Sequence, residues 1–110
     1  MNDFSLLAWL IFFGAAALEV GGDAVVRKGL RGSSVATIVA GCLMLGGYGL
    51  VVNMVKWDFS KLLGVYVAFF ALVSVLFGRY VFRETIPLST WIGLAFIMCG
   101  GFIIHFGRLR

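Results

Sequence analysis

The chain has 110 residues, of which 62% are hydrophobic and 13% charged, with a net charge of +4 and a mean hydropathy of +1.06. A water-soluble domain of this size needs more charge to cover its surface, so the composition excludes a soluble globular protein and implies an integral membrane one. The cations are scattered at the ends of apolar runs and read as anchors at the lipid surface, so nucleic acid is not an expected partner.

Four apolar segments follow, at about 4–26, 35–55, 62–81 and 86–106. Each is about 20 residues, enough to cross a ~30 Å hydrocarbon layer as a helix. They are continuously apolar and do not alternate, which argues against a β-barrel. The connections "RKGLRGSS", "KWDFSK" and "FRET" are short. The expected architecture is all-α: one four-transmembrane-helix domain over 1–110, running up-down-up-down.

The first segment opens with Met1, Asn2 and Asp3, without the positive charge of a secretion signal, and its apolar run is too long for one despite the small residues of "GAAALE". It then carries an acid, Glu19, slightly beyond its midpoint. A carboxylate at that depth costs about 2.5–3.5 kcal/mol on insertion scales. No Lys or Arg stands three or four residues away to neutralise it. Its relief is protonation, water, or a cation that comes and goes; the alternative is a glutamic acid kept permanently protonated between helices. Asp23 is one turn further on the same face. It is either a second site acid, widening a polar chamber, or the partner of Arg27 at i+4.

In the second segment Cys42, like Cys99 in the fourth, has no Cys or His at ligand spacing and reads as a small buried apolar residue. Asn53 ends the segment at the interface. Trp9, Trp57, Trp91 and Tyr80 lie near span ends, where amphipathic rings favour the headgroup region. The third segment places Tyr66, Phe70 and Ser74 at successive turns of one face, with Phe69 adjacent. Such a face either packs or holds an organic cation by cation–π attraction. Arg79, Arg83 and Glu84 read as a solvated turn, and Pro87 suits the first turn of the last helix. In that helix Gly93 and Gly100 share a face two turns apart, with Gly101 beside them. Small residues of this kind let helices approach in lipid, so these three are the candidate dimerisation surface. His105 reads as a surface-facing residue.

Four short spans would put Lys56, Lys61, Arg108 and Arg110 on one side, and Arg27, Lys28, Arg31, Arg79 and Arg83 on the other. With so even a split the chain can insert either way up, and two copies can then pair antiparallel; the alternative is one fixed orientation set by the slight majority. Eight helices also shield a carboxylate better than four. No Ser/His/Asp or Cys/His constellation, zinc-protease motif or phosphate loop is present. No enzyme activity, cofactor or metal is therefore expected.

"LEVGGDAVVRKGL", "LLGVYVAFF" and "GLAFIMCGGFII" resemble segments of the small multidrug resistance transporters, within the drug/metabolite transporter superfamily. The resemblance places Glu19 on that family's essential carboxylate, Gly22 on its glycine, Lys28 on its loop lysine, Tyr66 on its site tyrosine, and Gly93 and Gly100 on its dimerisation pattern. It implies an antiparallel homodimer in the plasma (inner) membrane, exporting small or hydrophobic cations in exchange for protons at Glu19. A heterodimer with a paralogue is the other partnership it allows. The chain departs from the pattern at Phe69, where the family has a tryptophan, at Ala71 and Val73, where it has glycines, and at Asp23. "ETIPLSTWIGLAFIMCGG" is also similar to short relatives that act as lipid-linked sugar flippase subunits. A non-transporting scaffold or regulatory subunit is the reading from a different class.

Overall fold

The structure, a computed structural model, describes residues 3–107, with side chains from residue 6 onward. It comprises four helices, α1 (Asp3–Gly32), α2 (Val35–Val52), α3 (Phe59–Tyr80) and α4 (Leu88–Phe106), and no strand among the described residues. All four are long and apolar enough to cross a membrane, so the fold is the all-α, four-helix membrane architecture expected. Arg108 and Arg110 lie outside the described residues. The chain divides into two compact units, Met1–Lys56 and Trp57–Arg110, each built on one pair of helices.

The first unit differs from expectation at its turn. α1 does not stop near Val26 but continues through "RKGLRG", so most of the anticipated loop is helical. Arg and Lys are good helix formers, and cations are favoured where a helix dipole turns negative. The helix ends at Ser33, which takes a left-handed conformation with φ 55°. The Ser34 amide then donates back to the Gly29 carbonyl at 2.9 Å, the long bond of a Schellman stop. Ser34 at once begins α2: its hydroxyl oxygen accepts from the Thr37 amide at 3.3 Å and shares a 3.0 Å bond with the Thr37 hydroxyl, satisfying orphan donors of the new helix. Ser33 and Ser34 are the whole connection.

α1 and α2 run antiparallel, as their contacts show. Gly29 faces Ile38, Gly22 faces Gly41 and Leu45, Gly21 faces Met44, and Leu18 faces Gly47. The closest approach is at Gly41, where a methyl group would stand 2.8 Å from the Val26 nitrogen and 2.9 Å from the Gly22 carbonyl oxygen. Close backbone approach of this kind gains van der Waals contact in lipid, where apolarity alone does not drive helices together.

In the second unit the α3–α4 seam brings Gly64 against Ile104 and Ala68 against Gly101; a methyl on Gly101 would lie 2.7 Å from the Ala68 Cβ. The intervening turn is held by the Phe82 amide donating to the Phe77 carbonyl and the Glu84 amide to the Gly78 carbonyl. Arg83 is left-handed at φ 56°. Pro87 is the N-cap of α4, one position before the first turn. The buried residues are mostly small or β-branched, with Phe12 and Val52 the largest that are fully enclosed. Leu43, Leu50 and Phe96 are each more than 70% exposed, as suits side chains that meet lipid tails. Cys42 and Cys99 are exposed as well, not buried as expected, because each occupies an outward face of its helix.

Candidate functional site

α1 carries a graded face. Ala8, Phe12, Ala15 and Ala16 fall at helical spacing and are at most 3% exposed. Glu19 continues that face one turn on and is half-buried, and Asp23, a further turn along, is exposed. The carboxyl of Glu19 therefore stands on this face between buried positions and an exposed one.

Asp23 and Arg27 are both exposed. Among the described residues no ion pair joins them. Of the two readings of Asp23, the i+4 pairing is not formed.

Across the seam from Glu19 stands Tyr48 of α2. The contacts of Gly29 with Ile38, Gly41 with Val26 and Gly22 with Leu45 step one turn at a time along the two antiparallel helices, and the next step brings Glu19 level with Tyr48. Tyr48 shares the α2 face of Gly41, two turns away. Sequence reasoning passed over it, because a tyrosine in a glycine-rich helix carries no motif. The signal that was available lay in Gly22 and Gly29, two turns apart on one face of α1, which mark the side that α2 approaches.

In the second unit Tyr66 is buried, Phe69, Phe70 and Ser74 are half-buried, and the Tyr66 and Phe70 rings lie 6.4 Å apart at a 39° tilt. The Ser74 hydroxyl donates to the Phe70 carbonyl at 2.7 Å, so its proton is held by the backbone of its own helix. These residues occupy the side of α3 opposite Gly64 and Ala68, which take α4.

The three glycines of α4 separate. Gly93 and Gly100 have nothing within 4 Å of where a side chain would begin, whereas Gly101 packs on Ala68. Gly101 is thus a contact within the chain. His105 is not simply surface-facing: it is half-buried, stacked on Trp57 at 5.2 Å and edge-on to Phe106 at 4.3 Å. Lys61 completes the group with its ammonium 4.6 Å from the Trp57 ring centre, a cation–π contact. Trp57 is thus an aromatic platform in contact with both a cation and an imidazole.

A half-buried carboxyl beside a phenol can hold either a proton or a cation, and it is the one feature of this unit with evident exchange chemistry. Residues 5–110 match the family described as "Uncharacterised BCR, YnfA/UPF0060 family". The chain is 32% identical to the UPF0060 membrane protein YfjF of Bacillus subtilis (strain 168), over 92% of this chain and 94% of that one. It is 26% identical to the UPF0060 membrane protein sll0793 of Synechocystis sp. (strain ATCC 27184 / PCC 6803 / Kazusa), over 94% and 97% respectively. No solved structure matches it. Four spanning helices and a family match over nearly the whole length lead to one conclusion: the chain is a multi-pass membrane protein that belongs to the YnfA/UPF0060 family.

Proposed function

We propose that the protein is a proton-coupled transporter that exports small or hydrophobic cations by alternating access, with Glu19 exchanging its proton for the substrate. The observation that carries this reading is the position of Glu19, half-buried in the middle of α1. It lies between the fully buried Ala15 and Ala16 and the exposed Asp23. A carboxylate so placed is unfavourable unless it is neutralised, and a proton and a cation are two neutralisers that cannot both occupy it. Loading one expels the other. A proton gradient then gives the cycle its direction.

The resemblance of the first, third and fourth segments to the small multidrug resistance transporters supports the same chemistry. In this reading Asp23 draws cations towards Glu19, and the resemblance offers Tyr66, Phe69, Phe70 and Ser74 as substrate-contacting residues of the second unit. Two copies pair antiparallel in the inner (plasma) membrane through Gly93 and Gly100, whose open surroundings leave room for a neighbouring helix.

The decisive experiment is proton release. Detergent-solubilised protein in weakly buffered solution near neutral pH is mixed with a panel of organic cations, and the pH change is recorded. Release is expected with the wild type and none with Glu19→Gln. Equal release from both proteins would remove Glu19 from the coupling step.

A further inference from the structure

We infer that Tyr48 is the positioning residue of the Glu19 carboxyl, its phenolic O–H donating to the carboxylate when the acid has lost its proton. This rests on the exchange role proposed for Glu19 and adds a residue from α2 to it.

The register of the first unit carries the inference. Three successive contacts, Gly29 with Ile38, Gly41 with Val26 and Gly22 with Leu45, step turn by turn along the antiparallel helices, and the next turn brings Glu19 level with Tyr48. The seam is narrow because backbone meets backbone where Gly41 packs on Val26 and Gly22. Around Tyr48 the helix is stripped of side chains: Gly46, Gly47 and Gly49 are its neighbours, and Gly46 and Gly49 meet nothing within 4 Å. Both Glu19 and Tyr48 are half-buried. At membrane depth a hydroxyl requires a partner. A carboxylate is the strongest acceptor available, since bonds to an ionised group are about twice as strong as neutral ones.

Among the described residues, the other ionisable group on this face of α1 is Asp23, one turn towards the Ser33–Ser34 turn; Arg27, Lys28 and Arg31 lie further along. From α2, the helix packed on α1, Tyr48 is the ionisable side chain that faces Glu19; Cys42 is on the exposed side. Tyr48 is thus placed to favour the charged, cation-ready form of the acid. Without its donor the carboxylate is less favoured, and Glu19 takes up its proton at higher pH.

Infrared difference spectroscopy on the protein in lipid tests this without reference to transport. The protonated Glu19 carboxyl band is identified by its loss in Glu19→Gln, and the Tyr48 ring C–O band by its loss in Tyr48→Phe. The expectation is that Tyr48→Phe, which keeps the ring and the fold, moves the pH at which the Glu19 band appears upward by about one unit. Glu19→Gln should displace the Tyr48 band. An unmoved carboxyl midpoint in Tyr48→Phe together with an unmoved Tyr48 band in Glu19→Gln overturns the inference. Failure of the transport reading looks different: cations then release no protons from the wild type, while the two bands still respond to each other's substitution.

Discussion

Gly22 and Gly41 approach each other backbone to backbone. A methyl on Gly41 would stand 2.9 Å from the Gly22 carbonyl oxygen, and one on Gly22 would stand 3.1 Å from the Gly41 carbonyl oxygen. The relationship is reciprocal but unequal: a side chain on Gly41 would press on backbone closely enough to part the helices, while one on Gly22 would make Leu45 and the Gly41 carbonyl give way. Because Gly22 lies one turn from Glu19, the same crossing sets the distance at which α2 meets the acid.

Replacing Gly41 by alanine should therefore lower the free energy of unfolding by about 1–3 kcal/mol, the usual range for an overpacked contact. Gly46→Ala, where nothing lies within 4 Å, should leave stability unchanged or raise it by up to about 1 kcal/mol through helix propensity. Reversible unfolding in mixed micelles, followed by circular dichroism, compares the two. Equal losses would mean that the crossing is less tight than its geometry indicates.

Ser33 provides a gain-of-stability test. It holds the left-handed position that glycine usually fills at the end of a helix. Ser33→Gly should stabilise the protein by up to about 1 kcal/mol, the relief of left-handed strain less the added freedom of the unfolded chain. Ser33→Val should destabilise it, and the same unfolding measurement reads both.

The glycines of α4 divide into two classes with separable phenotypes. Gly93→Leu and Gly100→Leu add bulk where the chain is open, so the helices should stay folded while cross-linked dimers disappear. Gly101→Leu strikes Ala68 and should lower thermal stability itself. Chemical cross-linking beside a melting curve distinguishes these results, and retention of dimers in both open-site variants would move the interface elsewhere.

Asp23 and Arg27 give a test of electrostatics. Because no ion pair joins them among the described residues, Arg27→Ala should change stability by less than about 0.5 kcal/mol. Asp23→Asn should instead weaken cation binding about fivefold, the effect of removing ~1 kcal/mol of screened attraction near the site. Competition binding with a fluorescent cation measures it.

The membrane class and the helix count were legible in the sequence because each follows from a bulk property, run length or continuity of apolar residues, and Glu19 drew notice as a candidate through the cost of one acid. What escaped was set by tertiary contact. The end of α1 was misplaced because "RKGLRG" is polar enough to read as a loop, yet made of good helix formers, and its stop depends on Ser33 adopting an unusual backbone angle. Gly101 looked equivalent to Gly100 because neighbours in sequence share a composition, though they point about 100° apart on a helix. Tyr48 escaped for a related reason. Its significance comes from the α1–α2 register, which no window of a single segment contains.

The two-residue turn at Ser33 and Ser34 also bears on biogenesis. It joins helices whose tightest contact lies between positions near in the chain, so closing that loop forfeits little entropy. Such local topology favours rapid assembly. The first hairpin can zip together as soon as α2 leaves the ribosome, with the acid-bearing seam formed before the remaining helices are made.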